Sequence, residues 1–146
     1  MTSTPIYGIG DGTYKTIGGE SGVRELVDRF YSIMAHTKDY QPLFSLHPND
    51  DGSASVTTKD KLSRFLMAWM GGKRTYHLAY GSMNIPAVHA HLDVTPILVS
   101  NWLNCMSEAL TELGHDHEFN DYLISQLAIP AERIRIASQR HKASAT

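Results

Sequence analysis

A chain of 146 residues with a formal net charge of −2 and one cysteine has room for one core, offers no basic field for a phosphate backbone, and cannot form an internal disulfide. No apolar run approaches the roughly eighteen residues of a membrane span, and the start of the chain lacks the charged and apolar regions of a secretory leader. The expectation is a single soluble, cytoplasmic domain over 1–146, polar from about residue 138, that engages neither nucleic acid nor membrane.

Val23, Leu26, Val27, Phe30, Tyr31 and Met34 recur at steps of three and four and predict an amphipathic helix over about 21–35, with Tyr31 on its buried side. Gly18-Gly19 ends the short turn before it. Residues 38–55 contain Pro42, Pro48, Asn49, Asp50, Asp51 and Gly52 and read as irregular. Leu62, Phe65, Leu66, Trp69 and Met70 predict a second core helix, with Thr57 or Thr58 as N-cap and Gly71-Gly72 as its stop. The link from Gly72 to Val94 is long for a compact domain unless something fills the space it surrounds, and a cofactor is the simplest filler. Thr95-Pro96 then opens a helix carrying Leu98, Trp102, Cys105, Met106 and Leu110, closed at Gly114. The last predicted helix, over about 118–141, turns Phe119, Tyr122, Leu123, Leu127 and Ile134 inward and contains Pro130. No alternating strand pattern of useful length occurs. The predicted fold is all-α, two helix pairs joined by long irregular links.

His89 and Trp102 stand thirteen residues apart on either side of the Thr95-Pro96 helix start. A histidine ending one short helix and a tryptophan two turns into the next can form opposite walls of one flat pocket, and a haem fits such a pocket. His89 would then bind iron from one side, while the indole N–H of Trp102, a donor only, serves the other. Each residue also has a plainer reading. His89 alone reads as a satisfied histidine, and Tyr31, Trp102, Leu62, Phe65 and Leu66 as core; Cys105 reads as a buried small hydrophobe, and His115 and His117 as solvent-exposed.

Six strings occur in order: Ile17-Gly18-Gly19-Glu20-Ser21-Gly22-Val23, Arg29-Phe30-Tyr31, Leu46-His47-Pro48, Phe65-Leu66-x-x-Trp69-x-Gly71-Gly72, Arg74-Thr75-Tyr76 and Trp102-Leu103-x-Cys105-Met106. Together they resemble the group II truncated haemoglobins, from about Tyr14 to Leu127. The resemblance implies a truncated-globin two-over-two helical sandwich enclosing haem b. His89 matches the proximal iron ligand through its spacing to Leu92, Val94 and Trp102. That spacing selects it over His91, whose side chain would point about 200° away on a helix. Tyr31 matches the distal tyrosine, and His47 and Trp102 join it in stabilising the ligand. Thr58, Leu62, Phe65 and Leu66 match the lining of the distal face, Lys61 a contact to a haem propionate, and Tyr76 the haem edge. Val88 stands where many relatives carry arginine, so one propionate contact is expected to be missing. The segment between Tyr31 and His47 is also longer than in shorter relatives.

The implied function is reversible binding of O₂ and of CO, NO or sulfide. It would support haem redox chemistry on O₂, peroxide or reactive nitrogen species, with peroxidase-like or NO- and O₂-detoxifying turnover fed by an unknown reductase. The alternative is an oxygen store or gas sensor without turnover. The expected state is a monomer or homodimer.

Overall fold

The computed structural model describes residues 7–47, 49–50, 52–81, 89 and 92–144. In chain order these form α1 (Gly12–Ile17), α2 (Gly19–His36), a 3-10 turn (Lys38–Tyr40), α3 (Gln41–Phe44), β1 (Asn49–Asp50), β2 (Ser53–Ala54), α4 (Val56–Trp69), α5 (Tyr76–Tyr80), α6 (Pro96–Glu112) and α7 (His117–Ser144). The chain divides into two compact units. One runs up to Tyr31 and resumes over residues 48–83; the other takes Ser32–His47 and residues 84–146, so α2 contributes to both.

In the first unit, α1 ends because Gly18 adopts φ +108°, a left-handed conformation that lets its N–H return to the Lys15 and Tyr14 carbonyls. α2 follows at once, and Val23, Leu26, Val27 and Phe30 are fully buried, as their three-and-four spacing predicts. The α1–α2 corner is tight: a Cβ on Gly22 would lie 2.0 Å from the Ile17 carbonyl oxygen. β1 and β2 pair antiparallel, Asn49 with Ala54 and Asp50 with Ser53, as a clasp before α4.

The N-cap of α4 is Ser55, not Thr57 or Thr58. Its backbone is extended, and its Oγ accepts from the Thr58 N–H at 3.1 Å while donating to Thr58 Oγ1 at 2.8 Å. The threonines fall inside the first turn, and Thr58 serves as the capped residue. α4 stops where expected: Met70 caps it, and the Gly71 and Gly72 N–H groups bond to the Ala68 and Met67 carbonyls. The Tyr14 N–H donates to the Met70 carbonyl at 3.2 Å, which ties the end of α4 to α1. α5 packs on α4, and its position is fixed by polar bonds described below.

The second unit begins with the last turn of α2. Residues 38–44, expected to be irregular, form the 3-10 turn and α3 instead, because Pro42 falls within the first turn of α3, where its missing N–H costs nothing. α3 packs on α6. α6 opens as the sequence predicts, with Thr95 Oγ1 accepting from the Leu98 N–H at 3.3 Å and Pro96 in the first turn. It closes before Gly114, which takes φ +81°. α7 packs along α6, burying Phe119, Leu123 and Leu127 with Cys105, Met106, Ala109 and Leu110 of α6. Each of these leucine, phenylalanine and methionine side chains contributes about 1.5–3 kcal/mol when fully buried. α7 runs through Pro130 and on to Ser144. The region expected to be a polar tail is therefore helical, and Ser138 within it is 1% exposed.

Candidate functional site

Five of the predicted site residues lie on α4. Thr58, Lys61, Leu62, Phe65 and Leu66 follow the spacing i, i+3, i+4, i+7 and i+8, which puts them on one stripe of the helix. Their burial differs along it. Leu66 and Thr58 are buried, Leu62 and Phe65 are only half-buried, and Lys61 is exposed. Two large apolar side chains thus keep open surface beside the buried Thr58 and Leu66.

Tyr31 is buried at the end of the α2 segment of this unit, its ring edge-on to Phe30 at 5.0 Å between centroids. Tyr76, on α5, is also buried, with its ring 5.3 Å from that of Tyr80. What holds α5 is a polar network built on Asp60 of α4. Asp60 Oδ2 accepts from the Tyr80 hydroxyl at 2.6 Å and from Arg64 Nε at 2.8 Å, and its Oδ1 accepts from Arg24 Nη1 at 3.0 Å. Arg64 also donates to the Thr75 carbonyl at 3.2 Å, just before α5. Burial pushes the Asp60 carboxyl up, and the Tyr80 hydroxyl with the two guanidiniums outweighs that and holds it below the usual carboxylate range. Lys61 Nζ lies 5.3 Å from the Tyr80 ring centroid, so the exposed ammonium is drawn toward the same corner.

In the second unit, His89 has helical backbone and a half-buried side chain, and its carbonyl accepts from the Leu92 N–H at 3.0 Å. Leu92 is half-buried and Val94 buried. Val88 and His91 lie outside the described residues, as does Pro48 after His47. Trp102 sits on α6, half-buried, seven residues after the Thr95 cap. His47 follows α3, with its backbone N–H on the Phe44 carbonyl at 2.9 Å and ring Nδ1 3.0 Å from the Leu43 carbonyl. Burial lowers the His47 imidazole below its ordinary range, the Leu43 carbonyl opposes that, and His89 adds to it.

Two features of the second unit are not anticipated by the sequence. The Tyr40 hydroxyl donates to Glu108 Oε2 at 2.9 Å, and burial together with that bond raises Tyr40 above the usual tyrosine range. Cys105 behaves as expected of a buried hydrophobe: burial, with Glu108 and Glu112 adding to it, pushes its thiol up to about 12. The second unanticipated feature is a set of bonds from α7 to residues 92–94. A surface groove of about 550 Å³ lined by Val99, Ala128, Ile129, Glu132 and Arg133 contains none of the predicted site residues. Among the described residues no three His, Cys, Asp or Glu side chains are grouped to hold a metal ion, and no helix is long and apolar enough to cross a membrane.

A family model described as bacterial-like globin matches residues 12–135. The group 2 truncated hemoglobin YjbI of Bacillus subtilis (strain 168) is 29% identical over 121 residues, which cover 83% of this chain and 86% of the relative. The solved group II truncated hemoglobin from Bacillus anthracis is similar at 28% identity with a TM-score of 0.72, covering 90% of this chain and 92% of that one. The truncated oxygen-avid haemoglobin from Bacillus subtilis is similar at 29% identity with a TM-score of 0.70, covering 84% of this chain and 97% of that one. The chain belongs to the bacterial-like globin family as a group II truncated haemoglobin, a haem-binding and oxygen-binding globin.

Proposed function

We propose that this globin holds haem b through His89, binds O₂ and other small ligands such as CO, NO and sulfide reversibly, and uses O₂, peroxide or reactive nitrogen species in haem redox chemistry. When bound, the haem supplies an iron that takes a gas or small anion as ligand and can exchange electrons. The observation that carries the reading is the incomplete burial of Leu62 and Phe65 on one stripe of α4. Large apolar side chains left half-exposed beside the buried Thr58 and Leu66 fit a flat apolar group that would cover them. The donor chemistry fits as well. A neutral imidazole at His89 is a suitable iron ligand, with Leu92 and Val94 as its apolar surroundings. Lys61, exposed one turn into α4, would meet a propionate, Thr58 and Leu66 would line the ligand side with Leu62 and Phe65, and Tyr76 would stand at the edge.

The residues that would act on the ligand are donors. The Tyr31 hydroxyl, the Trp102 indole N–H and a ring N–H of His47 can each donate to a ligand that carries partial negative charge, at about 1.5–3 kcal/mol for a charge-assisted bond. Such donors favour retention, in keeping with the relative from Bacillus subtilis described as oxygen-avid. They would also stabilise charge that develops as an O–O or N–O bond is reduced, which favours turnover over storage.

The test is the visible spectrum of the purified protein and of two variants. The wild type should carry a Soret band, and His89→Ala should lose it or retain haem poorly. A normal band in His89→Ala, lost instead in His91→Ala, would transfer the role to His91.

A further inference from the structure

Residues 92–94, just before α6, are gripped by the C-terminal half of α7. Ser138 Oγ accepts from the Val94 N–H at 2.8 Å and donates its own proton to the Leu92 carbonyl. Gln139 Nε2 donates to the Val94 carbonyl at 3.0 Å. Lys142 reaches Asp93 at 3.4 Å, an exposed pair that adds little in water. Two consecutive residues of α7 thus hold Val94 at both its N–H and its C=O, and the Leu92 N–H in turn donates to the His89 carbonyl. Thr95, the next residue, caps α6.

A serine inside a helix ordinarily spends its hydroxyl on a carbonyl one turn back. Ser138 spends it on a distant segment and uses both its donor and its acceptor there. Val94 and Ser138 are buried, so neither the Val94 N–H nor the hydroxyl has water to replace the other.

We propose that Ser138 is a positioning residue for His89: its hydroxyl fixes Leu92 and Val94, and through the Leu92-to-His89 backbone bond it sets the pose of the imidazole on the iron. This rests on the reading of His89 as the iron ligand. A clamped backbone limits how far the imidazole can shift to relax its bond to the metal, so the clamp acts on both the strength of that bond and the retention of haem. Gln139 shares the task through the Val94 carbonyl.

The experiment uses the ferrous, ligand-free holoprotein and reads the iron–histidine stretching band by resonance Raman, together with the rate of haem transfer to an apomyoglobin acceptor. Ser138→Ala should shift or broaden the band and speed haem transfer by about 10- to 100-fold, the usual cost of losing a partner that orients a metal ligand. Gln139→Ala, which removes one bond at a less buried position, should move both readouts the same way by less, and it keeps the test open if Ser138→Ala fails to fold. Leu123→Ala, a core truncation on α7 away from the clamp, should lower the melting temperature and leave the band in place. A wild-type band in both Ser138→Ala and Gln139→Ala, or an equal shift in Leu123→Ala, overturns the proposal alone. A wild-type band in His89→Gly overturns the ligand reading and the proposal with it.

Discussion

The Tyr80 hydroxyl donates to Asp60 Oδ2 at 2.6 Å, joining α5 to α4 through a carboxylate that also serves Arg24 and Arg64. Asp60→Asn removes the charge and replaces one of the two acceptor oxygens shared by two guanidiniums and a phenol with an NH₂ donor, and should destabilise the fold by about 1–3 kcal/mol at neutral pH. The pH dependence has a definite sign. The folded-state pKa of Asp60 is depressed, so its contribution is present above the unfolded value near 4 and is lost as pH falls through the folded value. Denaturant melts of wild type and Asp60→Asn should therefore differ at pH 7 and converge in acid. A gap of constant size down to pH 2 would show that the carboxylate charge is not what stabilises α5.

Gly22 faces the Ile17 carbonyl oxygen so closely that a methyl group at that position would stand 2.0 Å from it. Gly22→Ala must push α1 off α2 and should cost about 1–3 kcal/mol, even though alanine is the better helix former. A melting temperature equal to or above wild type would mean that the corner opens without cost.

The helices were legible in the sequence because their signals are local. The three-and-four spacing of Val23 to Met34 needs only one helix to be read, and Thr95-Pro96 announces α6 within two residues. The cap of α4 was harder. Ser55, Thr57 and Thr58 all carry a hydroxyl, and only the extended backbone at Ser55 decides among them. The helical stretch at 38–44 was hidden by Pro42, which breaks a helix in its interior and starts one at its first turn. His89, Tyr31 and Trp102 were nominated by spacing and resemblance. Ser138 was not, since its partners Val94 and Leu92 lie 44 and 46 residues away and a serine among polar residues gives no local sign of burial.

Cys105 is fully buried on α6, and its thiol is pushed up to about 12 by burial, with Glu108 and Glu112 adding to it. At neutral pH the nucleophilic thiolate is therefore scarce as well as shielded. A thiol reagent should label the native protein at pH 7–8 at least 100-fold more slowly than the denatured chain, by the thiolate fraction alone. Native labelling at a comparable rate would show that the α6–α7 interface opens readily.

Trp102 offers the cleanest test of the ligand-side chemistry, because phenylalanine retains most of the apolar bulk of the indole and removes its donor. Should the indole N–H bond the ligand, Trp102→Phe forfeits about 1.5–3 kcal/mol, and the oxygen off-rate should rise roughly 10- to 100-fold at tenfold per ~1.4 kcal/mol. Should the buried Tyr31 hydroxyl donate as well, Tyr31→Phe should act in the same direction. Donors that share one ligand are coupled, so the double variant should fall short of the product of the single effects, as residues in one hydrogen-bond network do. Stopped-flow oxygen release measures all three. An off-rate unchanged in Trp102→Phe but raised in Tyr31→Phe would assign retention to the phenol alone and return the half-buried indole of α6 to a packing role.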